Sequence, residues 1–332
     1  MKNQVRIPYI DRLKGFCIIA VVFGHFIIWP LGIEDDFLSS FVASFHMPIF
    51  MFLSGFVISS PLTLGKCICK IPHFLFPMFI IGGLYVVFRG YTLYDFFFDS
   101  TKIGYWYLWV LSIFYLLLSL LPFYIEKTHV RTLQELIYGL LVGGLFLIIK
   151  LFSPNYISDF ISADQCFGLW FCFFFGFMSR RYSILDKILK KEGSLFIILC
   201  CYICLLLFYA TGIKRLYMLV SITSILPFIH FFRKRNNKKS IIESELEKIG
   251  KNSLYVYIFH YFLLRIIFLD SLGSWFKSTH NLLLEALVSL FFAIFISYIC
   301  ITIGRITEYF NTLSKILYGN IKEIDISLPN KM

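Results

Sequence analysis

KGFCIIAVVFGH, residues 14–25, is an apolar run that opens on a cation and closes on a histidine. Eleven steps of about 100° bring a helix back to within about 20° of its starting direction. Lys14 and His25 therefore share one face, about 16 Å apart along the axis. Two polar groups on one face of an apolar helix read as the lining of a path. A basic N-terminus before a first apolar run also raises the question of a signal peptide. The run is too long for one, lacks a small-residue cleavage site and leads into further apolar sequence, so the expectation is an uncleaved first span.

The rest of the chain agrees with that reading. Of its 332 residues 58% are hydrophobic and only 15% charged, with 40 Phe and 20 Tyr, and long apolar runs recur throughout. This is the composition of an all-α, polytopic helical membrane protein. Ten stretches of spanning length are expected: 13–31, 41–60, 72–90, 104–125, 135–152, 165–180, 194–211, 216–232, 252–269 and 283–303. With the N-terminus in the cytoplasm, 24 of the 31 Lys and Arg fall in segments on the cytoplasmic side, so both termini are expected there. The net charge of +11 is thus a topology signal, and nucleic acid is not an expected partner. Residues 1–303 read as a membrane-embedded domain and 304–332 as a cytoplasmic tail. The basic run RKRNNKK at 233–239 reads either as an anchor on anionic membrane lipid or as a contact for a phosphorylated cytosolic ligand, and Arg180 and Arg181 share that ambiguity.

The nine cysteines lie scattered, without partner ligands at metal-site spacing, so reduced thiols and no metal are expected. Cys67 and Cys69, beside a helix end, are also candidates for palmitoylation. Gly82-Gly83 and Gly143-Gly144 interrupt two of the expected spans.

Ionisable groups inside spans are costly and usually face a cavity, which makes each a functional candidate. His25 lies past the midplane of the first span. Neutral imidazole is suited to taking a proton from a hydroxyl near neutral pH, so His25 is the candidate general base. In FHMPIFMFLSGF, residues 45–56, His46 falls at a comparable depth, Pro48 sits in a first helical turn, and Ser54 and Gly55 permit close helix approach. In IGKNSLYVYIFH, residues 249–260, Asn252 or Ser253 can cap a helix that carries His260 to mid-membrane. Arg265 lies further out, either snorkelling or lining the cavity, with Glu285 placed to pair with it. Trp106 and Trp170 fit an aromatic belt, or a stacking surface for a sugar ring. The acidic loop Glu34-Asp35-Asp36 is either solvated or near an acceptor.

Taken in order, DRLKGFCIIAVVFGH, FHMPIFMFLSGF, YWYLWVLSIFYLL, LWFCFFFGFMSRR and IGKNSLYVYIFH resemble the acyltransferase 3 family over about residues 8–303. The Asp-x-x-Lys-Gly and Phe-His-Met-Pro variants look closest to its fucose 4-O-acetylase-like branch. The resemblance implies an integral-membrane enzyme of a bacterial-type inner membrane that acylates extracytoplasmic glycans or lipid-linked sugars. It also implies acyl-CoA, most simply acetyl-CoA, as a co-substrate rather than a bound cofactor. The family's first-span motif pairs an Arg with a His eleven residues later. Here His25 matches the His and Lys14 replaces the Arg, keeping the charge without the planar fork. Asp11 faces the same stripe and can support Lys14 as a donor-binding pair, whereas Arg12 lies about 220° round the helix from His25. Two other classes remain open: a transporter or flippase of a lipid-linked glycan, and a non-catalytic membrane subunit.

Overall fold

The computed structural model describes residues 7–34, 37–58, 63–121, 128–190, 192–213, 216–237, 240–310, 314, 317 and 318. Asp35 and Asp36, Lys238 and Lys239, and most of the 304–332 tail lie outside them. Among the described residues the chain is helical, without strands. The helices that build the core are α1 (Pro8–Ile28), α2 (Phe37–Ala43), α3 (His46–Phe56), α4 (Trp106–Ser119), α5 (Thr128–Phe152) and α6 (Ala163–Tyr182). They are followed by α7 (Glu192–Ala210), α8 (Tyr217–Lys234), α9 (Ile241–Lys251), α10 (Ser253–Arg265), α11 (Asp270–Thr279) and α12 (Leu282–Tyr309).

Each of the ten expected stretches holds a helix, but among the described residues five helical runs are long and apolar enough to cross a membrane, or six if the bent pair α10 and α11 is one span. The reasons are local. Asp11, Arg12 and Lys14 crowd the first turns of α1, and the 14 residues of α4 rise only about 21 Å. Pro227, His230 and two terminal cations dilute α8. Between α10 and α11 the axis turns by 91°. α11 then folds over the end of α1, where Leu269 N–H donates to the Pro30 carbonyl at 2.8 Å and Lys277 Nζ to the Gly32 carbonyl at 2.9 Å.

The core is organised by helices that touch backbone to backbone. α3 packs along α6, and a Cβ added to Gly55 would overlap the Phe173 carbonyl oxygen, just as one on Gly176 would overlap that of Phe52. The close approach expected at Ser54-Gly55 is therefore a reciprocal glycine crossing. A second crossing joins α1 to α9, with Gly15 against the Leu246 carbonyl and Gly250 against that of Asp11. Gly143 does not interrupt its span: α5 runs unbroken, and Gly143 admits the ring of Phe171 instead. Gly82, in contrast, closes a π-helical turn at Met78–Gly82 within the run Leu64–Phe88.

The segment before the ninth span is an amphipathic helix rather than a basic loop. α9 starts at a capping box in which Glu243 N–H donates to Ser240 Oγ at 3.3 Å and Ser240 N–H donates to Glu243 Oε2 at 2.8 Å. Asn252 closes this helix by donating to the Lys248 carbonyl at 2.6 Å, rather than capping α10 through its side chain. Donation to the carboxylate from the Ser240 backbone N–H and hydroxyl, reinforced by Arg235, holds the Glu243 carboxyl down at about 2. A depressed folded value means that this stabilisation is present above the ordinary value of 4.5 and is lost as pH falls towards 2. Amide protection factors across 241–251 should therefore fall over that window. Ser240→Ala should cost about 1 kcal/mol at neutral pH, read as a shift in the unfolding midpoint.

Candidate functional site

α1 delivers His25 to a cluster built mainly by α10. The His25 ring stacks on Trp29, one turn further along the same helix, at 4.4 Å between centroids and 7° between planes. Across from it lie His260 at 5.5 Å and Tyr261 at 5.6 Å. The Arg265 guanidinium covers the other part of this aromatic group, 4.1 Å from the Trp29 centroid. His46, at the start of α3, is close enough for its charge state to act on His25, as are His260 and Arg265. Four of the polar residues singled out from separate stretches thus converge.

The three histidines differ in what they can do. His260 is fully buried, and its Nδ1 bonds the Val256 carbonyl at 2.8 Å. An Nδ1–H donor there leaves Nε2 as an acceptor, and among the described residues that atom has no partner. His46 is set the same way, with Nδ1 against the Val42 carbonyl at 2.5 Å. Each ring is held by the carbonyl one turn before it, which fixes both orientation and tautomer. His25 is half-buried, and among the described residues no group bonds its ring nitrogens. His25 and His46 both combine partial access with an unbonded ring nitrogen, the combination a general base requires, whereas His260 is closed off.

The wall behind the cluster is a set of tyrosines tied to one backbone bend. Tyr261 and Tyr257 hydroxyls donate to the Gly104 carbonyl at 2.7 and 3.1 Å, and the Tyr105 hydroxyl donates to the Ile258 carbonyl at 2.8 Å. Gly104 has φ +106°, and a Cβ there would strike the Tyr261 ring, so glycine is needed on both counts. Beside it the fully buried Lys102 donates to the Asp99 and Asp159 carbonyls at 2.8 and 2.5 Å and pins the bend.

The other sequence candidates lie elsewhere. Lys14 and Asp11 are half-buried near the start of α1, about 16 Å or more from His25 along the axis. Ser54 lies towards the same basic end on α3, its hydroxyl 2.9 Å from that of Tyr107. Glu285 is 4% exposed in the first turn of α12. Arg12, off the His25 stripe as expected, donates to the Arg235 carbonyl at 2.9 Å and lies 3.6 Å from Glu247, an anchor of α1 to α8 and α9. Trp170 is a core residue, fully buried and donating to the Gly139 carbonyl at 2.8 Å, so it belongs neither to a belt nor to a sugar platform. Trp29, Tyr261 and Tyr105 went unnoticed in the sequence, although Trp29 stands four residues from His25 and Tyr261 follows His260.

A cavity of about 1060 Å³ is lined by His230 but not by His25, His46 or His260. Arg12, Phe16, Phe228, Arg235 and Leu246 line it, and Phe16 is about half a turn round α1 from His25. Among the described residues no group of His, Cys, Asp and Glu is arranged to hold a metal, and the cysteines are free thiols. Cys67 is buried while Cys69 is exposed.

A family model described as an acyltransferase domain matches residues 7–302. No curated protein and no solved structure matches the chain significantly. The match takes in every helix of the histidine cluster, from α1 to nearly the whole of α12. An apolar helical fold with this coverage places the chain in the acyltransferase 3 family, whose members are membrane proteins and whose activity class is acyl transfer.

Proposed function

We propose that the protein is a membrane O-acyltransferase that moves an acetyl group from acetyl-CoA to a hydroxyl of an extracytoplasmic glycan or lipid-linked sugar. The observation that carries this reading is the His25 ring, clamped flat between Trp29 and the His260–Tyr261 pair yet open at its nitrogens. In the proposed step the neutral ring takes the acceptor hydroxyl proton as the oxygen attacks the thioester carbonyl. The tetrahedral oxyanion collapses, the C–S bond breaks, and the imidazolium returns the proton to the thiolate. The products are an O-acyl ester and the free thiol, and charge is conserved. Arg265, held over Trp29, supplies the positive charge near the developing oxyanion. His46 and His260 keep two further acceptors at the site, suited to sugar hydroxyls or to steering the His25 ring.

The positive-inside asymmetry supports a cytoplasmic donor side at the basic end of α1, with Lys14 and Asp11 near the donor, Ser54 lining the cavity towards that end, and His46, His260, Arg265 and Glu285 lining the route to the acceptor. Within the family, the Asp-x-x-Lys-Gly and Phe-His-Met-Pro variants support the fucose 4-O-acetylase-like branch and its inner-membrane setting, while the Lys and Arg distribution supports cytoplasmic termini, with 304–332 a tail outside the catalytic domain. The test is transfer of radiolabelled acetyl from acetyl-CoA to a panel of glycans by purified protein in nanodiscs. Label in glycan is the expected result. Passage of a lipid-linked glycan across liposomes without any label transfer would overturn it in favour of a flippase.

A further inference from the structure

The last turns of α6 and α8 meet the first turn of α1 around a second cavity of about 200 Å³. That is six or seven times the ~30 Å³ share of one water, room for a phosphate group and its bridging oxygen. Ser179, Arg180, Ser183, Asp186 and Arg233 come together there beneath Tyr9. Arg180 lies over the Phe56 ring at 5.6 Å, a contact that does not neutralise the guanidinium. Its neighbour Arg181 is engaged differently, 3.1 Å from the buried Glu135. Arg233 pairs with Asp186 at 2.5 Å. Both guanidiniums and the Asp186 carboxylate are near enough to act electrostatically on the Tyr9 hydroxyl.

Two arginines and one carboxylate leave the cavity net positive. Ser179, on its wall, is 1% exposed, and among the described residues its hydroxyl has no hydrogen-bond partner. Buried hydroxyls are nearly always satisfied, so an unmet one beside paired guanidiniums is a donor set that lacks its acceptor. Planar guanidinium forks match phosphate oxygens in particular.

We propose that this pocket binds a phosphate ester, with Ser179 and Arg180 as donors and Asp186 as an internal competitor that occupies Arg233. The ester is either the phosphate end of a soluble nucleotide-type thioester donor or the headgroup of an anionic lipid. The first source rests on the acyl-transfer reading above. It is consistent with the architecture, because α1 runs from Tyr9 at the pocket to His25, about 24 Å along its axis. α3 runs alongside from Phe56 to His46. A donor anchored here needs a long flexible arm between phosphate and thioester, which coenzyme A has.

The experiment is equilibrium binding of radiolabelled adenosine 3′,5′-bisphosphate, and separately of pyrophosphate, to the full chain in phosphatidylcholine nanodiscs. Saturable binding is expected, weakened about tenfold or more by Arg180→Gln and several-fold by Ser179→Ala. Asp186→Asn should strengthen it several-fold by releasing Arg233, a gain that a merely structural role would not produce. Arg180→Lys keeps the charge but loses the fork, and should bind at an intermediate level with unchanged thermal unfolding. A parallel arm uses spin-labelled phosphatidylglycerol: immobilised lipid that depends on Arg180, without bisphosphate binding, supports the pocket and identifies the headgroup as its ligand. Binding indifferent to Arg180 and Ser179, or absent for every probe, overturns it. Because no turnover is involved, bisphosphate binding without acyl transfer would leave the pocket standing and sink the acyltransferase reading. Acyl transfer without Arg180-dependent binding would do the reverse.

Discussion

His25→Ala should lower the turnover number for acetyl transfer by a factor on the order of 10²–10⁴, the usual worth of a positioned general base. The KM for the donor should change little, since Lys14 and the pocket at the basic end lie more than one full helical turn from the lost ring. Stability should fall only slightly: the ring is half-buried, and its stacking on Trp29 is worth about 0.5–1.5 kcal/mol. His25→Gln is the sharper variant, because it keeps a polar side chain of similar length and cannot act as a base. His260→Gln should have a smaller effect than either, as that ring is fully buried and acts through its neighbours. Equal turnover in wild type and His25→Gln, with both proteins folded, would remove His25 from the chemistry. A loss confined to KM would make it a binding residue.

The second large effect is structural. Gly176→Leu should leave little folded, monodisperse protein after extraction, and even Gly176→Ala should cost about 1–3 kcal/mol as an overpacked core. The crossing of α3 and α6 has no side chain that can swing aside: the added atom meets the Phe52 carbonyl itself, and Gly55 meets that of Phe173 in return. Separating the helices would also shift His46 relative to His25, so residual activity should fall further than the folded fraction. Gly144 is the matched control. A Cβ there meets nothing within 4 Å, and Gly144→Ala in α5 should be neutral or stabilising by up to about 1 kcal/mol. Thermal unfolding of the three variants in one detergent reads the contrast directly. Equal midpoints for Gly176→Ala and Gly144→Ala would show that the crossing is looser than its backbone contacts require.

The sequence by itself determined that the chain is helical and apolar, that helices occupy ten stretches, and that His25, His46, His260 and Arg265 are the ionisable groups to watch. Those conclusions are local. Hydropathy follows from composition, periodicity from helical geometry, and the cost of a polar group in an apolar layer from the side chain alone. Even the small-residue step at Ser54-Gly55 was legible, because only a missing side chain lets two helices touch there.

Partnership was not legible. That the four polar residues meet, while Lys14 and Asp11 stay at the far end, depends on how α1, α3 and α10 cross. Two of these helices are fixed by glycine contacts to third helices, α1 to α9 at Gly15 and Gly250 and α3 to α6 at Gly55 and Gly176, and the partner of each glycine is a carbonyl far away in sequence. The same holds for Trp170, which resembles any boundary tryptophan in sequence and becomes core only because α5 presents the Gly139 carbonyl to its N–H. The difference between ten expected stretches and five or six helical runs of spanning length among the described residues has a related reason. A kink of 91° between α10 and α11, or charges packed against a neighbour such as Arg12 on the Arg235 carbonyl, is paid for by tertiary contacts that hydropathy along one strand of sequence does not contain. Which residues are polar and deep is a property of the chain, whereas which of them share a site is a property of backbones in contact.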